Sequence, residues 1–197
     1  MNDRQLLGTF AQAVGQFDKR VKLVKQNQWH QPTPDTDWDV RELVNHLTSE
    51  QLWVPEMLAG KTIAEVGDKY EGDVLGIDPK QRWQAAQNMS LTAVKKIPLN
   101  TTVHLSFGDV AARDYLTQMF MDAVIHSWDL AAAIAKMTHL PAALAELCYE
   151  EMKKQAEAWR RGGVLGPAVK VAKHASTQDK LLALTGRNPS WKPHEAA

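Results

Sequence analysis

Met119-Phe120-Met121-Asp122-Ala123-Val124-Ile125-His126-Ser127-Trp128-Asp129-Leu130 sets a carboxylate and an imidazole inside an otherwise apolar run. Leu116, Met119, Phe120, Ala123, Ser127, Leu130 and Ile134 recur at helical spacing, so the stretch reads as a helix with one packed side. Asp122 and His126 are four residues apart and therefore stand one above the other, within or beside that packed side. A carboxylate buried without a partner costs roughly several kcal/mol, so a counter-charge is required there. A divalent metal would supply one. An Asp four before a His is equally the pattern of a simple polar pair, and a histidine beside an apolar stripe is often a hydrogen-bonded core residue.

A protein-bound transition metal usually takes at least three protein ligands, and one helix supplies two in this way. His46 is the candidate for the third. It lies in Trp38-Asp39-Val40-Arg41-Glu42-Leu43-Val44-Asn45-His46-Leu47, where Val40, Leu43, Val44 and Leu47 mark a core side and His46 falls beside them. Two histidines and one carboxylate leave coordination positions open for water or substrate, the arrangement of a reactive site.

The 197 residues suit one domain, or one domain with a small appendage. With 23 basic and 23 acidic residues and no polybasic run, the charge pattern argues against nucleic acid or an anionic membrane surface as partner. No apolar run approaches the length of a membrane span, and the start of the sequence lacks the features of a signal peptide. The single cysteine, Cys148, has no partner for an internal disulfide, and a reducing cytoplasm is the expected location. Cys148 shares a stripe with Leu144, Leu147 and Met152 and reads as a buried, inert thiol.

The rest of the chain frames these elements. Leu6 to Val24 follow a helical period that predicts a first helix from about Asp3 to Gln26, and the prolines of Gln31–Asp37 separate it from a second helix beginning near Asp37. That helix runs past Pro55 to a stop at Gly60. Lys61–Ile77, rich in glycine and acid, reads as a long ordered loop, of the kind that either covers a site or simply connects helices. Asp78-Pro79 opens a third helix reaching Ile97. Thr101–Asp109 predicts a short strand or hairpin, with His104 and Ser106 on one face that ordinarily meets water. The fourth helix spans about Ala112 to Lys136, a fifth continues from Pro141 to about Arg161, and Ser176 caps a short final helix ended by Gly186. The expectation is an all-α fold, a four-helix bundle with additional C-terminal helices and a short β-hairpin. Its parts are a bundle with a fifth helix over 1–161, an extension packed on it over 162–187, and a loose tail over 188–197.

Pro32-Thr33-Pro34 leading into Asp37–His46, together with Asp122–Leu130, resembles the mycothiol-dependent maleylpyruvate isomerase N-terminal-domain group of the DinB/YfiT-like superfamily. Gly67–Gly76 and Gln178–Arg187 are similar to a short branch of that group, so the resemblance spans nearly the whole chain. It implies a four-helix bundle with a divalent metal near one end, held by His46, Asp122 and His126. The isomerase carries a glutamate where this chain has Asp122, one methylene shorter, and possesses a further C-terminal domain that 197 residues are too few to contain.

The resemblance also implies thiol chemistry, in which a low-molecular-weight thiol is the cosubstrate of a transferase or isomerase. The metal, zinc first with nickel or iron as alternatives, activates a bound thiol or water. Asp129, one turn beyond His126, is the candidate to orient an imidazole, although an arginine or N–H elsewhere is an equal claimant. Arg41 and Arg113 are positioned either to receive an anion or, more ordinarily, to pair with Asp37 or Asp109. Two rival readings stand beside catalysis: a structural or sensory metal, and a helical interaction module without metal. A homodimer fits any of the three.

Overall fold

Reciprocal caps, not propensity alone, set where the helices begin. The computed structural model describes residues 1–35 and 37–193. Helix α1 (Asp3–Val21) opens on Asn2, whose side chain accepts from Gln5 N while Gln5 Oε1 accepts from Asn2 N. Leu6, Phe10, Val14, Phe17 and Val21 fill one buried stripe. The helix stops at Val21, short of the expected Gln26. Val24 is nonetheless buried, carried inward by the bend before a single 3-10 turn at Gln26–Gln28, so its apolar character reflects loop packing rather than a continuing helix.

Helix α2 (Val40–Leu58) begins later than Asp37, because Asp39 and Glu42 cap each other's backbone N–H groups at 2.8 Å. Pro55 lies inside the helix, and Gly60 takes the left-handed φ of +79° that turns the chain away. The segment expected to be loop throughout contains one helical turn, α3 (Ile63–Val66), nucleated by a Thr62/Glu65 capping box. The remainder is strapped along the flank of α2. Arg41 Nη2 reaches Asp73 at 2.7 Å, Asn45 bridges Gly72 O and Val74 N at 2.8 Å each, and Ser49 Oγ donates to Tyr70 O.

Helix α4 (Pro79–Ala93) starts as expected on Asp78 with proline at its first position and ends before Ile97. Its Trp83 Nε1 and Gln87 Nε2 both donate to Asp18 Oδ1, at 3.2 and 2.8 Å, locking α4 onto α1. Strands β1 (Thr102–Leu105) and β2 (Gly108–Ala111) form an antiparallel hairpin with His104 opposite Asp109.

Helix α5 (Ala112–Ala133) is the axis of the molecule. From Ala123 to Ala133 every residue is buried, so no wet face remains. A helix apolar all round must be covered on all sides, and α5 packs against α1, α2 and α6 (Ala142–Arg161). Each fully buried side chain such as Phe120, Leu116 or Met121 contributes about 1.5–3 kcal/mol relative to exposure. Helix α7 (Thr177–Leu184), capped by Ser176, lies on α6. In the segment expected to be a loose tail, Trp191 packs against the core, and residues 194–197 fall outside the described residues. Among the described residues no helix is long and apolar enough to cross a membrane.

Candidate metal centre

The contact between α2 and α5 brings together the three residues expected from helical spacing. His46 projects from the second turn of α2, and Asp122 and His126 from successive turns in the middle of α5. Asp122 Oδ2 lies 3.5 Å from His46 Nε2, and Asp122 Oδ1 lies 3.2 Å from His126 Nε2. Three ligand atoms, one from each residue, sit within 4.8 Å of one another. Charge-assisted hydrogen bonds close to about 2.7–2.9 Å; these separations are wider, and Asp122 Oδ2 is buried with no hydrogen-bond partner. Burial pushes the Asp122 carboxyl toward protonation, but His126 and His46 outweigh it and hold the group far below the usual carboxylate range. The Trp38 ring covers both imidazoles, with centroids 4.6 Å from His46 and 5.6 Å from His126.

Behind His126 stands a buried ionic network. Its Nδ1 is 2.9 Å from Asp129 Oδ2, and Asp129 is 0 % exposed. Arg187 donates to Asp129 Oδ2 at 3.1 Å and to Asp35 Oδ2 at 2.7 Å, and its Nη1 donates to Thr185 O. Burial raises the proton affinity of Asp129, and the Arg187 guanidinium with His126 more than reverses this, so the carboxyl stays ionised. The carboxylate therefore accepts the Nδ1–H of His126, which aims Nε2 at Asp122. Asp35, His126 and Asp129 also place ligand atoms within 4.8 Å of one another, but Arg187 already neutralises that cluster.

The centre opens into a cavity of about 180 Å³ walled by Trp38, Ile125, Trp159, Leu165 and Arg187. The C-terminal part of the chain thus supplies one side of the site. Arg187 and Asp35 escaped the sequence reading: 58 residues separate Arg187 from Asp129 and 152 from Asp35, and no local spacing marks such a contact. Trp38 was quoted there but given no role.

Other candidates lie elsewhere. Arg41 pairs with Asp73 and Gly76 O, not with Asp37. Arg113 pairs with Asp3 and with Met1 O, at 3.0 Å for the latter, not with Asp109. His104 pairs with Asp109 across the hairpin at 2.7 Å, and neither it nor Ser106 lines the cavity at the three ligands. The 67–76 loop contributes nothing to that cavity either, so it braces α2 and does not cover the histidines. Cys148 is buried, and burial pushes its thiol well above the usual range.

Residues 10–131 match the sequence profile of the mycothiol maleylpyruvate isomerase N-terminal domain, a stretch that includes His46, Asp122 and His126. No curated protein matches the chain. Two solved structures are similar. One is the crystal structure of a histidine-to-alanine mutant of the mycothiol-dependent maleylpyruvate isomerase, with a TM-score of 0.69 at 12% identity over 89% of this chain and 78% of that one. The other is the crystal structure of the mycothiol-dependent maleylpyruvate isomerase, with a TM-score of 0.63 at 13% identity over the same shares. At such identity the likeness establishes the fold.

Proposed function

Because the chain belongs to the mycothiol maleylpyruvate isomerase N-terminal domain family, we propose that it is a divalent-metal enzyme using a low-molecular-weight thiol in a transferase- or isomerase-type reaction. The observation that carries this reading is the orphaned, buried Asp122 Oδ2 between two imidazoles. The residues fit the group. One ligand atom from each residue lies within 4.8 Å of the others, and the carboxylate–imidazole separations, 3.2 Å from Oδ1 to His126 and 3.5 Å from Oδ2 to His46, are near the roughly 3.3 Å between ligands about 2.0–2.1 Å from a tetrahedral ion. Two nitrogens and one oxygen suit zinc first, and nickel or ferrous iron after it.

When bound, the ion supplies Lewis acidity that lowers the pKa of a thiol or water so that the anion is available near neutral pH. The protein supplies the setting. His46, Asp122 and His126 hold the ion. Asp129 fixes the tautomer and plane of His126, and Arg187 keeps Asp129 charged while walling the cavity. Trp38 and Leu165 line the same cavity with apolar surface, which lowers the local dielectric and strengthens the electrostatic interactions inside it. Cys148 is buried with its proton firmly held, which supports a nucleophilic sulfur supplied by a small molecule.

The test is elemental analysis of untagged protein beside Asp122→Ala and His126→Ala, then cobalt substitution and thiol titration. The expected result is about one ion per chain in wild type, loss in both variants, and a thiol-induced change in the cobalt spectrum. Stoichiometric metal indifferent to thiols would favour a structural or sensory ion. Folded wild type that takes up no metal would end the proposal.

A further inference from the structure

On the hairpin side of the three ligands, along the same α2–α5 groove, lies a second cavity of about 210 Å³. Its polar groups are in register with the centre. Glu50 follows His46 by four residues on α2, and Gln118 and Tyr115 precede Asp122 by four and seven on α5. At 1.5 Å of rise per residue these offsets are roughly 6 and 10 Å along the helix axes, and each keeps the side chain on its ligand's face. Trp53, Met57 and Met119 form apolar walls, and Phe107 at the hairpin tip borders them.

Two side chains there want a partner. Tyr115 is 3% exposed, yet its hydroxyl is buried without a hydrogen bond. An orphaned buried hydroxyl costs about 1–3 kcal/mol, a penalty that a ligand atom would remove. The Glu50 carboxyl faces the same space, and among the described residues neither a hydrogen bond nor an arginine or lysine steadies it. Burial first, and the charge of Asp122 second, lift its pKa to about 7 against the opposing pull of His46 and His126. Among the described residues no lysine, arginine or histidine lines the cavity. An incoming carboxylate would therefore meet apolar walls and a second acid.

We propose that this cavity is a specificity pocket for an uncharged, largely apolar substrate group bearing one hydrogen-bonding oxygen or amide, which Tyr115 Oη engages and in which no cationic side chain receives a carboxylate. The inference rests on the reading that the reacting end of the substrate lies at His46, Asp122 and His126. It divides the site by chemistry. The cavity beside Arg187 carries the cationic group, and the cavity beside Glu50 has none.

The experiment uses the full chain with ¹³C-methyl methionine, in metal-free and zinc-treated samples, and follows the Met57 and Met119 methyl resonances. The probes are butanamide, butanoate and butylamine, matched in length and differing in charge. Butanamide is expected to shift both resonances saturably, butanoate to bind at least about tenfold more weakly, and Tyr115→Phe, which keeps the packing, to weaken butanamide about tenfold. Equal binding of butanoate and butanamide, tighter binding of butylamine, an unaffected Tyr115→Phe, or no shift with butanamide would each overturn the proposal. Butanamide binding to protein that takes up no zinc would leave the pocket standing and remove the metal reading; zinc uptake without a butanamide shift would do the opposite.

Discussion

Replacing Arg187 with methionine keeps most of the side chain's stem and deletes its charge. Asp129, fully buried, and Asp35, 25% exposed, would then lie near one another with His126 as the one basic side chain among the described residues near both. Removing one partner of a buried ion pair costs about 3–5 kcal/mol, because the remaining charge stays desolvated. For a chain of this size each kcal/mol corresponds to about 2–4 °C in Tm, so Arg187→Met should lower Tm by about 6–20 °C. The assay is urea unfolding in EDTA, so that metal occupancy does not contribute, on wild type, Arg187→Met, Asp129→Asn and the double variant. The double variant should be about as stable as Arg187→Met alone or more so, since the charge left stranded in the single variant is gone. A loss below about 1 kcal/mol in Arg187→Met, or strictly additive losses in the double variant, would refute the account of Arg187 as neutraliser of Asp129.

Zinc at about one hundred times its dissociation constant should stabilise wild type by about 2.7 kcal/mol, read as a Tm rise that Asp122→Ala abolishes; an equal rise in that variant would place the ion elsewhere. Glu56, held by Lys61 and Lys69 and by the Tyr70 hydroxyl, has its pKa lowered from 4.5 to about 2. A depressed acid contributes stability that is complete above its unfolded value and is lost as pH falls through its folded value. The Lys69–Tyr70 segment should therefore hold at pH 5 and release between about 4.5 and 2, followed by the Tyr70 ring resonances; an unchanged transition in Glu56→Gln would contradict this. Gly186 has a φ of +85°, and a Cβ there would meet Pro167 O at 3.3 Å. Gly186→Ala should cost about 1–2 kcal/mol, measured by urea unfolding, and should reduce metal affinity through the displaced Arg187.

What the sequence disclosed and what it withheld divide by distance along the chain. The Asp122/His126 pair follows from helical periodicity, a local property, and His46 emerges because an imidazole beside an apolar stripe is locally conspicuous. The start on Asp78 was read from its capping oxygen and proline, whereas the Asp39/Glu42 and Thr62/Glu65 boxes obey the same rule but were passed over for Asp37 and for a continuous loop. The end of α1 was not, since Val24 is apolar for reasons of tertiary packing. Arg41 was assigned Asp37 on local spacing, whereas its partner Asp73 is 32 residues away on the strapped loop. The Arg187 network is the extreme case: its three acidic and imidazole members come from the segment before α2 and from α5, and only the folded chain brings them together.

Arg187 also orders events in time. A ribosome releases α5, with Asp129 at its heart, well before the guanidinium that neutralises it. Until residue 187 emerges, a nascent chain that collapses around α5 must either bury Asp129 with His126 in place of the guanidinium or leave that helix partly open. A fragment that includes Asp129 but ends before Arg187 inherits the same flaw, however complete its hydrophobic core. The ion pair thus makes the closing of α5 depend on a residue far downstream: a fragment of residues 1–186 is expected to be cut by protease faster than one that retains Arg187.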